Sequence, residues 1–162
     1  MAKTIMSEVV TVHPLREWAR IISIGVGAGL VYWILTILLN RYIVEPAACR
    51  QFADLALCVN ATPIAGNIAN ILVAVIALLV MIRMGVVRPL VIVLATLAVL
   101  WGLASWTVGF SSGQILLSAI VLYAVSYALF AWVTRATQLW VTIAISLVVI
   151  VAIRLGLALV KL

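Results

Sequence analysis

The chain has 162 residues, of which 68% are apolar and only 9% are charged. A soluble globular domain carries roughly 25% charged residues, so this composition excludes an ordinary water-soluble fold. It predicts an all-α integral membrane protein in a lipid bilayer, because a helix satisfies its own backbone hydrogen bonds in hydrocarbon. The net charge of +6 does not indicate nucleic-acid binding, because the basic residues fall singly at the ends of apolar runs.

The first two apolar runs each predict one transmembrane helix. Ile21 to Asn40 is a charge-free tract of 20 residues, which as a helix covers about 30 Å, one hydrocarbon thickness. The second helix is predicted to start at Pro63 with Thr62 as its N-cap, since proline at the first helical position loses no hydrogen bond. These spans are placed at 17–41 and 63–83.

The third charge-free tract is too long for one crossing. Pro89 to Thr134 has 46 residues, about 69 Å as a helix, more than twice the hydrocarbon thickness. The segment Gly109–Gln114 carries the only turn signal in this tract, so the chain is predicted to fold back there. The tract then forms spans 89–109 and 114–134.

The last apolar segment predicts a fifth span at 137–160, and the bundle has four spans if this segment does not cross. Arg154 is the only charged residue within it. At about 17 residues from the start of the span, its side chain could snorkel to the outer interface. The alternative is a site for an anion or a lipid headgroup, because a charge in a membrane span is a functional candidate.

Orientation follows from the basic residues of the short connections, because the richer side stays in the cytoplasm. Six lie on the side of the N-terminus: Lys3, Arg16, Arg20, Arg83, Arg88 and Arg135. Three lie on the other side: Arg41, Arg50 and Lys161. We therefore expect a multi-pass protein of the plasma (inner) membrane, with its N-terminus in the cytoplasm and its C-terminus outside.

The exterior loop predicted at 42–62 holds both cysteines, Cys49 and Cys58. The orientation, which was derived without them, places them on the oxidising side of the membrane and favours a disulfide bond. A short amphipathic helix is predicted between them, over residues 50–57. A thiol–disulfide exchange site is the alternative, but such sites need a low-pKa thiolate, for which the sequence offers no partner.

Polar and aromatic residues within the spans are the candidate ligand contacts. Asn67 and Asn70 lie one turn apart near the outer end of the second span, where they could bond another helix or line a pore. Tyr123 and Tyr127 form an aromatic stripe on the fourth span with Phe130. Such a stripe belongs to a helix interface or borders a cavity for an apolar ligand.

Small residues at four-residue spacing predict close helix packing. Gly25 and Gly29 form a G-x-x-x-G motif on the first span, and Ala152 and Gly156 form a weaker version on the fifth. The partner helix could belong to the same chain or to another chain.

Three classes of function remain, and none involves a cofactor. Proton coupling would require a carboxylate within the membrane, and apart from Glu17 at the very start of the first span no Asp or Glu lies within a predicted span. No residue cluster predicts a metal or haem site. We expect a non-catalytic subunit or assembly component of a larger membrane complex. The alternatives are a small homo-oligomeric channel or transport facilitator without proton coupling, and a membrane enzyme acting on lipid or thiols.

Overall fold

A computed structural model describes residues 14–51, 58–86, 88–134 and 139–160. Within these ranges the chain is helical and has no β-strand, which confirms the predicted all-α membrane bundle. The helices are α1 Pro14–Leu39, α2 Ala61–Arg83, α3 Pro89–Leu100, α4 Leu103–Trp106, α5 Ser112–Val133 and α6 Leu139–Val160.

The bundle contains four to five long apolar helices. Four segments of the described chain are long and apolar enough to cross a bilayer: Trp18–Cys49, Ala61–Arg83, Pro89–Trp106 and Ser112–Val133. Helix α6 has 22 residues, about 33 Å, and includes the apolar stretch Ile143–Ile153. Large apolar side chains such as Leu79 and Val148, 59% and 68% exposed, cover the outside of the bundle.

The first helix is longer than the sequence predicts. Beyond α1 the chain continues helically through two π-helical segments, Asn40–Val44 and Ala47–Gln51, so the loop prediction is wrong for residues 42–51. Pro46 lies between the two segments, has no N–H to donate and crowds the carbonyl four residues earlier. The wider π-turns, such as the bond from the Glu45 N–H to the Asn40 carbonyl, accommodate this proline without ending the helix. Most of the amphipathic helix predicted over 50–57 lies outside the described residues.

Helix α2 buries one side chain at every fourth position. These residues form a stripe that winds slowly around the helix, because four residues are slightly more than one turn, and they are mostly small: Ala61, Ala65, Ala69, Val73, Ala77 and Met81. Most of them belong to the main buried core of the bundle, together with residues of α1, α3 and α5. The stripe gives α2 a central position between α1 and α3, the two helices that it contacts most.

Helices α1 and α5 pack against each other in antiparallel directions at very short distance. A Cβ atom built on Gly25 would lie 2.7 Å from the Ala124 Cα, and one on Gly29 would lie 2.6 Å from the Ile120 Cα. Both distances are far below van der Waals contact, so only glycine fits at these two positions. The predicted G-x-x-x-G motif therefore lies against a helix of the same chain.

The third span is interrupted, which the sequence did not predict. An unbroken helix was expected over 89–109, but α3 ends at Leu100 and the short helix α4 begins at Leu103. Between them Trp101 is extended, with ψ 123°, and Gly102 adopts a φ of 82°, a conformation that glycine reaches without steric cost. Helix α5 starts at Ser112, where Ser111 and Gln114 form a capping box.

Replacing Gly29 with alanine is expected to separate α1 from α5. The new methyl group would collide with backbone atoms of Ile120, which cannot rotate away, so the free energy of unfolding should fall by about 1–3 kcal/mol. Gly27→Ala is the matched control, because nothing lies within 4 Å of a Cβ at Gly27. The control should be neutral or slightly stabilising, since alanine favours helix over glycine. Denaturant unfolding in detergent measures both variants, and equal effects would contradict this packing.

Candidate functional site

A hydrogen-bond network surrounds the interruption between α3 and α4. The Gly102 N–H donates to Asn67 Oδ1 at 3.1 Å, whereas an unbroken helix would pair it with the carbonyl of residue 98. Asn70 Nδ2 donates to the Leu97 carbonyl at 3.5 Å, a long and weak bond. The two asparagines of α2 thus bind one backbone group within the helix break and one in the last turn of α3 before it.

The same network extends to α5 and α1 through tyrosines. The Tyr123 hydroxyl donates to Asn70 Oδ1 at 2.6 Å. The centre of the Tyr32 ring of α1 lies 5.4 Å from that of the Tyr123 ring, and the centre of the Tyr127 ring lies 6.3 Å from that of Tyr123. All three tyrosines are at most 2% exposed. Helices α1, α2, α3 and α5 therefore meet at one polar and aromatic cluster.

A cleft opens at the end of the bundle where α1 ends and α5 begins. Its volume is about 280 Å³. Its residues come from α1 and the π-helical segment after it, the start of α2, α4 with the connection that follows, and the start of α5. They are Tyr32, Trp33, Thr36, Ile37, Asn40, Thr62, Ala104, Thr107, Val108, Gly109, Phe110, Ser112 and Ile115. Among these described residues none carries a charge, so the cleft is a neutral, mainly apolar site.

Cys49 and Cys58 are joined by a disulfide bond with their Cα atoms 4.9 Å apart. Cys49 lies in the second π-helical segment, and Cys58 lies just before α2. The bond therefore ties the extension of α1 to the start of the next helix. Neither cysteine is a free thiol.

The candidate residues of the last span, Ala152, Arg154 and Gly156, belong to α6. Arg154 lies in α6, but its side chain lies outside the described part of the structure, and so do the surroundings of Gly156. Ala152 is exposed. In the described ranges, no group of three or more His, Cys, Asp and Glu residues could hold a metal ion.

Three members of the network were not among the residues predicted from sequence: Tyr32, Leu97 and Gly102. Tyr32 lies on the face of α1 that carries the G-x-x-x-G motif, seven residues after Gly25, and this spacing could have identified it. The lone glycine at 102, within an apolar span, was a signal for a break. Leu97 contributes only its backbone carbonyl, for which a side-chain pattern gives no signal.

No family model matches the chain, and no curated protein or solved structure matches it significantly. The structure alone therefore defines the class: an all-α membrane helical bundle with an interrupted third span, a polar network at the interruption and a cleft at one end.

Tyr123→Phe is expected to lower the free energy of unfolding by about 1–2 kcal/mol, because it leaves Asn70 Oδ1 buried without its donor. A double-mutant cycle with Asn70→Leu should show a coupling energy of about 0.5–1.5 kcal/mol. Tyr127→Phe removes the same atom from an equally buried ring and should not couple to Asn70→Leu. Unfolding in a mixed detergent series measures the cycle, and a coupling of zero for Tyr123 would refute the bond.

The disulfide is expected to stabilise the bundle without reacting with other thiols. Replacing both Cys49 and Cys58 with serine should lower the free energy of unfolding by about 2–3 kcal/mol, the chain-entropy value for a loop of this size. A reducing agent should destabilise the native protein by the same amount and leave the variant unaffected. On gels, a maleimide reagent should label the native protein only after reduction. Labelling without reduction would show that the cysteines are unpaired.

Proposed function

We propose that the protein is a non-catalytic subunit or assembly component of a larger membrane complex. This proposal rests on the hydrogen bonds that Asn67 and Asn70 make to other parts of the same chain. Both side chains bond to backbone or side-chain groups of α3, Gly102 and α5. The polar groups that a transport path would need are therefore already hydrogen-bonded within the chain, where they hold its own helices together.

A homo-oligomeric channel is less well supported by this geometry. If the asparagines lined a shared pore, their amides would be free to face a common axis. Instead Asn70 is 2% exposed and Asn67 is half-buried with its oxygen bonded to Gly102. A pore through these residues would require the network at the helix break to open.

An enzyme acting on thiols is also less well supported. Its candidate nucleophiles were Cys49 and Cys58, which are bonded to each other. An acyl-transfer enzyme acting on lipid would need an activated nucleophile, typically a hydroxyl with a neighbouring base. The buried hydroxyls of Thr107 and Thr134 donate to carbonyls of the helices that they follow, and the buried Tyr123 hydroxyl donates to the Asn70 amide oxygen, so none of the three is paired with a base.

The proposed subunit crosses the plasma (inner) membrane with its N-terminus in the cytoplasm and its disulfide outside. The basic residues support this orientation, because more of them lie on the side of the membrane that is predicted to hold the N-terminus. The disulfide supports it independently, because disulfides persist in oxidising compartments. Reaction of single-cysteine variants with a membrane-impermeant reagent in intact cells would test it.

Purification in mild detergent, followed by native mass determination, tests the proposed role. We expect other polypeptides to accompany the chain in a fixed stoichiometry, and the chain to unfold at lower temperature once it is separated from them. A stable symmetric assembly that contains only this chain would contradict the proposal.

The double variant Asn67→Leu and Asn70→Leu distinguishes the proposed subunit role from the channel alternative. We expect it to lower the unfolding temperature of the protein and its yield in the complex, because the groups at the helix break lose their partners. A channel would lose its flux and keep its assembly. Ile68→Leu, an exposed and apolar position on the same helix, is the matched control and should alter neither property.

A further inference from the structure

The turn between α2 and α3 has an arginine at each end. Arg83 is the last residue of α2, and Arg88 directly precedes Pro89, the first residue of α3. Arg83 is exposed and Arg88 is partly exposed. The turn lies at the end of the bundle opposite the cleft, because α2 starts beside the cleft and ends at the turn. Both positive charges therefore belong to one end of the bundle, where the spans meet the membrane surface.

Backbone hydrogen bonds keep this turn compact. The Val86 N–H donates to the Met81 carbonyl at 3.1 Å, so the chain folds back over the last turn of α2. Gly85 allows this reversal with a φ of 68°. Arg83 and Arg88 are five residues apart, at most about 18 Å even in an extended chain, and the reversal brings them closer. Their long side chains can therefore reach one common group.

The backbone of Arg88 is strained. Its φ of 55° and ψ of 51° lie in the left-handed region, and it is the only non-glycine residue with a positive φ in the part of the chain that the structure describes. Glycine or asparagine would adopt this conformation at lower cost. Strained residues concentrate at functional sites, which agrees with a role for the arginine side chain at this position.

The chain supplies few acidic residues to balance these arginines. The sequence contains only four: Glu8, Glu17, Glu45 and Asp54. None follows residue 54. Glu17 belongs to α1, which starts at the same end of the bundle, but there it stands between Arg16 and Arg20. Positive charge therefore exceeds negative charge at this end, and an anion from outside the chain would be attracted to it.

Next to the arginines, both helices expose apolar side chains. Leu79 and Ile82 of α2 are 59% and 56% exposed, and Leu90 and Leu94 of α3 are both 56% exposed. All four lie within about 8 Å of the turn along the helix axes, and the two helices contact each other. A surface of this kind accommodates a molecule with an anionic group at one end and hydrocarbon chains at the other.

We propose that the turn binds the phosphate headgroup of an anionic phospholipid, whose acyl chains lie along the exposed side chains of α2 and α3. A guanidinium group presents parallel N–H donors that match two oxygens of a phosphate. A zwitterionic phospholipid carries the same phosphate, but its ammonium group is repelled by the excess of positive charge. Basic sites between the ends of membrane helices therefore select anionic lipids.

Native mass spectrometry of the full-length protein in detergent tests the site. Dioleoylphosphatidylglycerol is the probe, and dioleoylphosphatidylcholine, which has the same acyl chains and no net charge, is the comparison. We expect the first phosphatidylglycerol molecule to bind at least about tenfold more tightly than the first phosphatidylcholine molecule, because only the former gains a charge-assisted contact without repulsion. Equal affinities for the two lipids would overturn the proposal.

Single variants locate the site on the chain. Arg83→Gln and Arg88→Gln should each weaken phosphatidylglycerol binding about tenfold, the effect of one lost charge-assisted pair. Arg41→Gln is the matched control, because it removes the same charge from an exposed residue at the other end of the bundle, four residues before Glu45. Its affinity should equal that of the native protein. Equal losses in all three variants would mean that the lipid responds only to net charge, which would overturn the site.

Arg83→Lys keeps the charge but not the paired donors of the guanidinium group. We expect a smaller loss of phosphatidylglycerol affinity than in Arg83→Gln. The melting temperature without lipid should stay within a few degrees of the native value in every variant, because these side chains lie on the surface. A lysine variant that binds as weakly as the glutamine variant, with an unchanged melting temperature, would overturn the electrostatic basis of the site.

Glycerol phosphate distinguishes a lipid from a soluble phosphate compound. It has the anionic group without the acyl chains, so it should compete with dioleoylphosphatidylglycerol at least about a hundredfold more weakly than a second anionic phospholipid does, because it buries no hydrocarbon. Equal competition would overturn the lipid assignment in favour of a soluble phosphate compound.

Discussion

The structure depends on one constraint of the membrane: backbone groups that a broken helix releases must find partners inside the protein. The break at Trp101 and Gly102 releases the Gly102 N–H within a span that begins at Pro89, about 20 Å earlier along the helix. Asn67 of α2 accepts a hydrogen bond from this N–H, and Asn70 donates a long bond to the Leu97 carbonyl in the last turn of α3. Lipid offers no substitute partner, so the interruption of the third span is stable only while α2 packs beside it.

Close packing and the polar network support each other. Gly25 and Gly29 allow the backbones of α1 and α5 to approach, and this approach brings the Tyr32 ring to 5.4 Å from the Tyr123 ring. Tyr123 in turn holds Asn70 in position for the helix break. In a bilayer, contacts of this kind replace the hydrophobic effect as the cause of helix association. A single methyl group added at Gly29 would therefore also disturb the hydrogen bond between Tyr123 of α5 and Asn70 of α2.

The end of the bundle that carries the cleft differs from the rest of the molecule. Here the chain continues beyond Leu39, the end of α1, in π-helical form, and the disulfide joins this extension to the start of α2. Tyr32 Oη and Asn40 Oδ1 are buried near this end without a hydrogen bond of good geometry to another described residue, whereas the asparagines of α2 are bonded.

The sequence by itself determined the membrane class, the approximate spans and the residues able to bond or pack closely, because hydrophobicity, charge and small-residue spacing are properties of local stretches. Asn67, Asn70, Tyr123 and Gly25 were all found in this way. Only the tertiary structure decided which helix each residue meets, and hence that the amides bind a break in α3. That break, the π-helical extension and the cleft depend on backbone conformation and on contacts between distant segments, which no local pattern encodes.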